Sequence, residues 1–125
     1  MSKFCTVVNC MDGRVQLPVI RFLQERFGVE YVDSVTEPGP NGILAARTAE
    51  DLVASIERRI AISVEKHDSV GIAVVGHDDC AGNPVSPEEQ EKQTAEAVRY
   101  IRSKFGSVPV IGLWLDKSWT VSETK

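Results

Sequence analysis

One apolar run near the middle of the chain limits the folds that this sequence can adopt. Val70-Gly71-Ile72-Ala73-Val74-Val75 carries no alternating polar residue, and Phe4-Cys5-Thr6-Val7-Val8-Asn9 near the start is also mostly apolar. A strand without alternation is typical of a parallel sheet, because helices cover both of its faces. The two runs therefore predict an α/β fold with helices on both sides of the sheet.

Helical patterns separate the strands in the first half of the chain. The first helix is predicted to begin at Pro18, because the N–H that proline lacks would be unpaired at a helix start, and to end at Gly28. Its apolar residues recur at helical spacing: Val19, Ile20, Leu23 and Phe27. A second strand is predicted from Val29 to Val35. The segment Thr36 to Gly42 is rich in proline and glycine, which predicts a loop.

The second half repeats this alternation. A long helix is predicted from about Ile43 or Thr48 to Lys66, and a third strand from Ser69 to Val75. Its apolar stripe consists of Leu52, Val53, Ile56, Ile60 and Val64. Ser86-Pro87-Glu88-Glu89 is typical of a capping box that begins another helix, with Ala95, Val98, Ile101 and Phe105 directed inward and its end at Gly106.

The last predicted strand is Val108 to Leu115, and in the tail beyond it only Trp119 is predicted to dock on the body. With 125 residues, the chain is expected to form a single domain over residues 1–125. Four strands joined by right-handed crossovers are predicted in the order 2-1-3-4. Ligands in such sheets bind beyond the carboxyl ends of the strands, where the chain reverses direction between strands 1 and 3.

Candidate metal ligands lie directly after those two strands. Cys10 follows the first strand, and His77 and Cys80 follow the third. Two thiolates and a neutral imidazole would balance the charge of Zn²⁺ and leave a fourth position open, as in catalytic zinc sites. The alternative is a buried histidine with two inert thiols. Cys5 is predicted to face away from Cys10 and to serve as a small buried apolar residue.

Asp12 and Arg14 share the loop that follows the first strand. Because alternate positions can face the same side, their ion pair could direct a carboxylate toward the fourth metal position while the guanidinium holds it. The alternative is a solvated ion pair that contributes under about 1 kcal/mol.

The motifs Cys10-Met11-Asp12-Gly13-Arg14 and Gly76-His77-Asp78-Asp79-Cys80 resemble those of the β-class carbonic anhydrases, and the likeness extends from Phe4 to about Leu115. The resemblance implies zinc held by Cys10, His77 and Cys80, with Asp12 and Arg14 as a catalytic pair. It implies an open form, in which Asp12 bonds Arg14 and zinc carries water, and a closed form in which Asp12 is the fourth ligand. Thr36-Glu37-Pro38-Gly39 stands where the family usually has Arg-Asn-Ala-Gly.

Three functions of different kinds remain open at this point. The leading hypothesis is a zinc lyase that adds zinc-bound hydroxide to CO2, or to a related electrophile such as COS or CS2. The second is a non-catalytic zinc protein in which Asp12 or the loops close the fourth position. The third is thiol catalysis by Cys10 in the manner of a phosphatase. It is disfavoured because Arg14 comes four positions after Cys10, whereas phosphatase loops carry arginine six positions after the cysteine.

Composition excludes several classes of partner. The formal net charge of −4, without a cluster of basic residues, argues against binding to nucleic acid or to anionic membranes. No apolar run approaches the roughly 20 residues that span a bilayer. The three cysteines suit a reducing compartment and the opening residues lack a signal-peptide pattern, so a cytoplasmic location is expected. Exposed edge strands and the family resemblance predict a homodimer or larger homo-oligomer.

Overall fold

The computed structural model describes residues 3–124, which form five strands and four helices around one sheet. In chain order the elements are β1 (Phe4–Cys10), α1 (Gly13–Phe27), β2 (Tyr31–Glu37), α2 (Pro40–Ala46), α3 (Glu50–Lys66), β3 (Ile72–His77), α4 (Pro87–Lys104), β4 (Val110–Leu115) and β5 (Val121–Glu123). This is the predicted α/β architecture.

The sheet order is β2-β1-β3-β4-β5. The first four strands are parallel and have the predicted order, whereas β5 pairs antiparallel with β4. The predicted count of four strands is therefore wrong by one. With only three residues and no apolar pattern, β5 depends on pairing with β4, which the local sequence does not reveal.

Each face of the sheet packs against its own helices. The valines and leucine on the inner side of α1 contact one set of strand side chains. The other face is covered jointly by α2, α3 and α4. Because β3 lies between these two layers, each of its six residues is buried, which explains why its sequence shows no alternation.

The first helix begins earlier than predicted. Its N-cap is Asp12, whose Oδ1 accepts a hydrogen bond from the Arg14 N–H at 2.9 Å, and Pro18 lies inside the helix rather than at its start. A side-chain cap satisfies N–H groups that would otherwise lack partners at the first turn, so capping by Asp12 prevails over the proline signal. The predicted end at Gly28 is confirmed by its left-handed φ of 65°.

The segment predicted as a loop over residues 36–42 is partly helical. Helix α2 begins at Pro40, a position that suits a residue without an N–H. A left-handed Arg47 with φ 56° then separates α2 from α3. Of the two predicted starts of the long helix, Thr48 is close to the first residue of α3, Glu50, whereas Ile43 belongs to the separate helix α2. The end of α3 at Lys66 is as expected.

The predicted inward-facing residues are buried or partly buried, apart from two that are exposed. Val53, Ile56 and Ile60 of α3 belong to the core, but Leu52 is 41% exposed. Ala95 of α4 also faces solvent. Both wrong predictions concern residues at the margin of an apolar stripe. There an exposed residue is directly adjacent in sequence to a buried one.

The start of α4 is as predicted. Ser86 caps the helix by accepting a hydrogen bond from the Glu89 N–H at 3.1 Å, and Pro87 is the first helical residue. The helix ends at Lys104, close to the predicted stop at Gly106. Among the described helices, none combines the length and the apolar character that a membrane crossing requires.

Candidate metal centre

Pairing of β1 with β3 brings the three predicted metal ligands together. Cys10 is the last residue of β1, and His77 is the last residue of β3. Cys80 lies in the loop that follows β3. Their ligand atoms all lie within 4.8 Å of one another, and the Sγ atoms of Cys10 and Cys80 are 3.9 Å apart. Side chains from two strand ends thus form one buried cluster that could hold a metal ion.

The hydrogen bond at His77 leaves one ring nitrogen for a ligand. Nδ1 lies 2.7 Å from the carbonyl oxygen of Asp78. Because a carbonyl only accepts, Nδ1 carries the proton and the neutral ring has its lone pair on Nε2. That Nε2 atom is buried without a hydrogen-bond partner within residues 3–124. A buried polar atom without a partner is costly, and a metal ion would satisfy it.

The two thiols of the cluster differ in their electrostatic environment. Burial works to raise the pKa of Cys10, but the neighbouring His77 ring and the backbone N–H groups of Gly39 and Asp12 lower it to about 7. Burial and the neighbouring Cys10 thiolate raise the pKa of Cys80. Without an ion, the cluster therefore favours one thiolate, at Cys10, which is a suitable first ligand for a metal cation.

The third cysteine takes no part in this cluster. Cys5 is fully buried, and burial raises its pKa to about 12, which confirms the prediction of an inert apolar residue. The predicted separation of Cys5 from Cys10 is wrong in one respect, since both contact the core on the α1 side of the sheet. Cys10 is the last residue of β1. The regular alternation of side chains between the two faces applies to the interior of a strand and is less strict at its end.

Asp12 and Arg14 form the ion pair that the sequence predicts. The guanidinium donates from Nε to Oδ1 at 3.1 Å and from Nη2 to Oδ2 at 2.7 Å. The hydrogen bond from Arg14 is the main reason that the pKa of Asp12 is lowered to about 2. The Asp12 carboxylate is therefore ionised near neutral pH, and it suits accepting a hydrogen bond better than taking a proton.

Other residues beside this pair were not identified from the sequence. Asp79 accepts a hydrogen bond from Arg14 Nη1 at 3.3 Å, and the Trp119 ring lies 4.4 Å from the guanidinium carbon. Gln16 donates to the carbonyl oxygen of Cys10 at 2.8 Å. Its position four residues after Asp12 is a helical signal that could have indicated it. The docking of Trp119 was predicted, but its contact with Arg14 depends on a turn between β4 and β5.

Asn83 connects the loop that carries Cys80 to two neighbouring helices. Its amide nitrogen donates to Gln93 Oε1 at 2.6 Å and to Asn41 Oδ1 at 3.3 Å, and its carbonyl accepts from Gln90 at 3.0 Å. These partners lie on α2 and α4. These hydrogen bonds tie the loop to two helices and so stabilise its position.

Two glycines allow the loops after β2 and β3 to pack against each other. A Cβ at Gly82 would lie 2.5 Å from the Cβ of Pro38, and one at Gly39 would lie 2.6 Å from the Cβ of Asn83. Gly39 also has a φ of 63°, which favours glycine. The segment that differs from the usual family sequence thus supports the Cys80 loop, and the Gly39 N–H lies beside the Cys10 thiol.

The sequence of this chain was compared with models of protein families and with curated proteins. A family model described as putative carbonic anhydrase matches residues 1–125. No curated protein gives a significant sequence match.

Three solved structures illustrate the similarity of fold. The β-carbonic anhydrase isoform I of Trichomonas vaginalis is 19% identical, with 98% of this chain and 81% of that chain covered and a TM-score of 0.57. The carbonic anhydrase of Streptococcus mutans is 17% identical, with coverages of 99% and 82% and a TM-score of 0.62. One of two tetrameric β-carbonic anhydrases of Sordaria macrospora is 13% identical, with coverages of 98% and 80% and a TM-score of 0.51. At these identities the likeness shows a shared fold.

The difference between the thiols predicts their order of alkylation. In the metal-free protein, iodoacetamide should modify Cys10 first and leave Cys5 unmodified while the protein is folded. The rate at Cys10 should rise with pH through about 7 and then level off, because the thiolate is the nucleophile. Peptide mass spectrometry at successive times gives the order, with Cys10→Ser as the control. Modification of Cys5 before Cys10 would contradict the assignment.

Proposed function

Because the chain belongs to the putative carbonic anhydrase family, we propose that it is a zinc-dependent lyase that hydrates CO2, or a related small electrophile such as COS or CS2. The observation that carries this proposal is the buried cluster of Cys10, His77 and Cys80, in which His77 Nε2 lacks a partner. Cys10 Sγ, His77 Nε2 and Cys80 Sγ would hold the ion. Sulfur and imidazole ligands favour zinc among the abundant divalent metals.

The number of ligands supports a catalytic rather than a structural role. Structural zinc sites use four protein ligands, whereas catalytic sites use three and keep one position for water or substrate. When bound in such a site, zinc lowers the pKa of a coordinated water toward ~7 and so supplies hydroxide at neutral pH.

Asp12 and Arg14 are the proposed catalytic pair. Asp12 is close enough to the cluster for its charge to interact with His77, and its carboxylate is bonded to Arg14. In this role Asp12 accepts a hydrogen bond and orients the attacking group. Arg14 keeps the carboxylate ionised and away from the ligand position. The alternative of a non-catalytic zinc protein requires Asp12 to leave Arg14, or the loops to close the site.

The edge strand supports a proposal of self-association. β2 lies at one edge of the sheet, and its outer backbone groups would be exposed in a monomer. The β-carbonic anhydrase of Sordaria macrospora with the same fold is tetrameric. We propose that this chain forms a homodimer or larger homo-oligomer, since proteins usually cover such edges.

Zinc analysis tests the ligand set. The purified protein should contain about one zinc ion per chain, and Cys10→Ser, His77→Ala and Cys80→Ser should each lose it, because three protein ligands are needed to hold the ion. Cys5→Ala and His67→Ala are matched controls outside the cluster and should retain zinc. Elemental analysis after exhaustive dialysis gives the ratio. Full zinc in all three ligand variants would refute the proposed site.

Replacement of Asp12 distinguishes the enzyme from a non-catalytic zinc protein. Asp12→Ala should keep zinc and lower the CO2 hydration rate by about 10- to 100-fold, the range seen when groups that orient a metal ligand are removed. Asp51→Ala, at an exposed position on α3, is the control. Stopped-flow assays from pH 6 to 9 should show a wild-type rate that rises with pH.

Two other outcomes of this assay have defined meanings. Higher activity of Asp12→Ala at neutral pH would mean that Asp12 occupies the fourth position in the resting protein. A wild-type protein with full zinc and no hydration activity over this pH range would exclude the enzyme and leave the non-catalytic zinc protein.

Light scattering tests self-association. At tens of micromolar, the mass should be at least twice that of one 13.7 kDa chain, because pairing would cover the exposed edge of β2. Ser34→Pro, at the middle of β2, should shift the mass toward the monomer, since proline hinders pairing between strands. A wild-type mass of one chain would contradict the proposal.

A further inference from the structure

Two non-glycine residues with left-handed backbone lie against Arg14. Within residues 3–124, four non-glycine residues have positive φ: Arg47, Asp68, Asp79 and Trp119. Of these, Asp79 (φ 55°) and Trp119 (φ 61°) both contact the Arg14 side chain. This conformation is unusual for a bulky residue such as tryptophan, and strained backbone of this kind persists where surrounding contacts require it.

The guanidinium of Arg14 is contacted along its edges by two acidic residues and on one face by an aromatic ring. Asp12 binds one edge by accepting hydrogen bonds from Nε and Nη2. Asp79 accepts at another edge, through its carboxylate at 3.3 Å and its carbonyl oxygen at 3.2 Å. The Trp119 ring lies over the face at 4.4 Å, a distance suited to a cation–π contact. Three loops therefore fix one side chain that is otherwise half exposed.

The turn between β4 and β5 places the Trp119 ring. Asp116 Oδ1 accepts hydrogen bonds from the N–H groups of Ser118 and Thr120, and the Asp116 carbonyl accepts from the Trp119 N–H at 3.0 Å. Such a turn accommodates glycine at its left-handed position without strain. The indole instead packs on the α1 side of the core, and its centroid lies 6.1 Å from that of His77. The backbone at position 119 favours glycine, and the contacts of the indole ring explain why a tryptophan occurs there instead.

We propose that Trp119 is a positioning residue that holds Arg14 against Asp12 and so keeps the fourth ligand position of the metal centre open. Asp79 assists by accepting hydrogen bonds from Nη1 and Nη2 of the guanidinium. Without the ring, Arg14 would have more freedom to leave Asp12, and the released carboxylate could reach the ion. The inference rests on the metal site of the proposed function and adds the residue that controls access to it.

Azide binding to the cobalt-substituted protein measures whether the fourth position is open. An anion that enters the coordination sphere changes the visible absorption of Co²⁺, so a titration gives a dissociation constant without any catalytic turnover. Trp119→Gly should weaken azide binding by ~2- to 10-fold, the range expected for the loss of one cation–π contact, because Asp12 then competes with azide. Trp119→Phe keeps an aromatic face over Arg14 and should remain close to the wild type.

A second replacement separates positioning from a general effect on folding. In an Asp12→Ala background, Trp119→Gly should have no further effect, because the competing carboxylate is absent. Asp68→Gly is the matched control, since it also places glycine at a left-handed position (φ 52°) but lies in the turn between α3 and β3. It should leave azide binding unchanged.

The outcomes distinguish this inference from the proposed function. Unchanged azide binding in Trp119→Gly, or an equal loss with and without Asp12, would overturn the role of Trp119, even in a protein that hydrates CO2. An effect of Trp119→Gly that requires Asp12, in a protein without hydration activity, would support the role of Trp119 and reject the lyase. A wild-type cobalt protein that does not bind azide would also overturn the inference, because the site would then be closed.

Discussion

The pairing of β1 with β3 is the constraint on which the candidate metal centre depends. The crossover that follows β1 places β2 on one side of it, and the chain then returns to place β3 on the other side. The ends of β1 and β3 are therefore neighbours, although Cys10 and His77 are far apart in sequence. Ligand sites in open α/β sheets recur at such a reversal. Loop packing around Gly39 and Gly82 then positions the third candidate ligand, Cys80.

Arg14 connects the three segments that surround this centre. It contacts Asp12 in the loop after β1, Asp79 in the loop after β3 and Trp119 in the turn after β4. A planar guanidinium suits this position, because its edges bind carboxylates while its face stacks on an aromatic ring. A lysine has neither the flat face nor the paired donors, so it could not make the same set of contacts.

The sequence predicts the parts of this arrangement that depend on strand pattern and motif spacing. The apolar run of β3 indicated a covered parallel strand, and the residues after two such strands identified Cys10, His77 and Cys80. Local competition between signals explains the errors. Proline is a frequent first residue of a helix, but the side chain of Asp12 caps helix α1 (Gly13–Phe27) six residues before Pro18. The ring of Trp119 reaches Arg14 only through a turn whose geometry depends on β5, and β5 has no pattern of its own.

The spacing of the two candidate cysteine ligands has a consequence for unfolding. Cys10 and Cys80 are 70 positions apart, so an ion held by both would close a long loop and reduce the number of conformations open to the denatured chain. Cross-links that close long loops have the largest effect of this kind in theory. Since the three side chains are gathered only in the native state, the free energy of binding an ion there would also contribute to folding. The unfolding midpoint of such a protein would vary with the concentration of free metal ion in its surroundings.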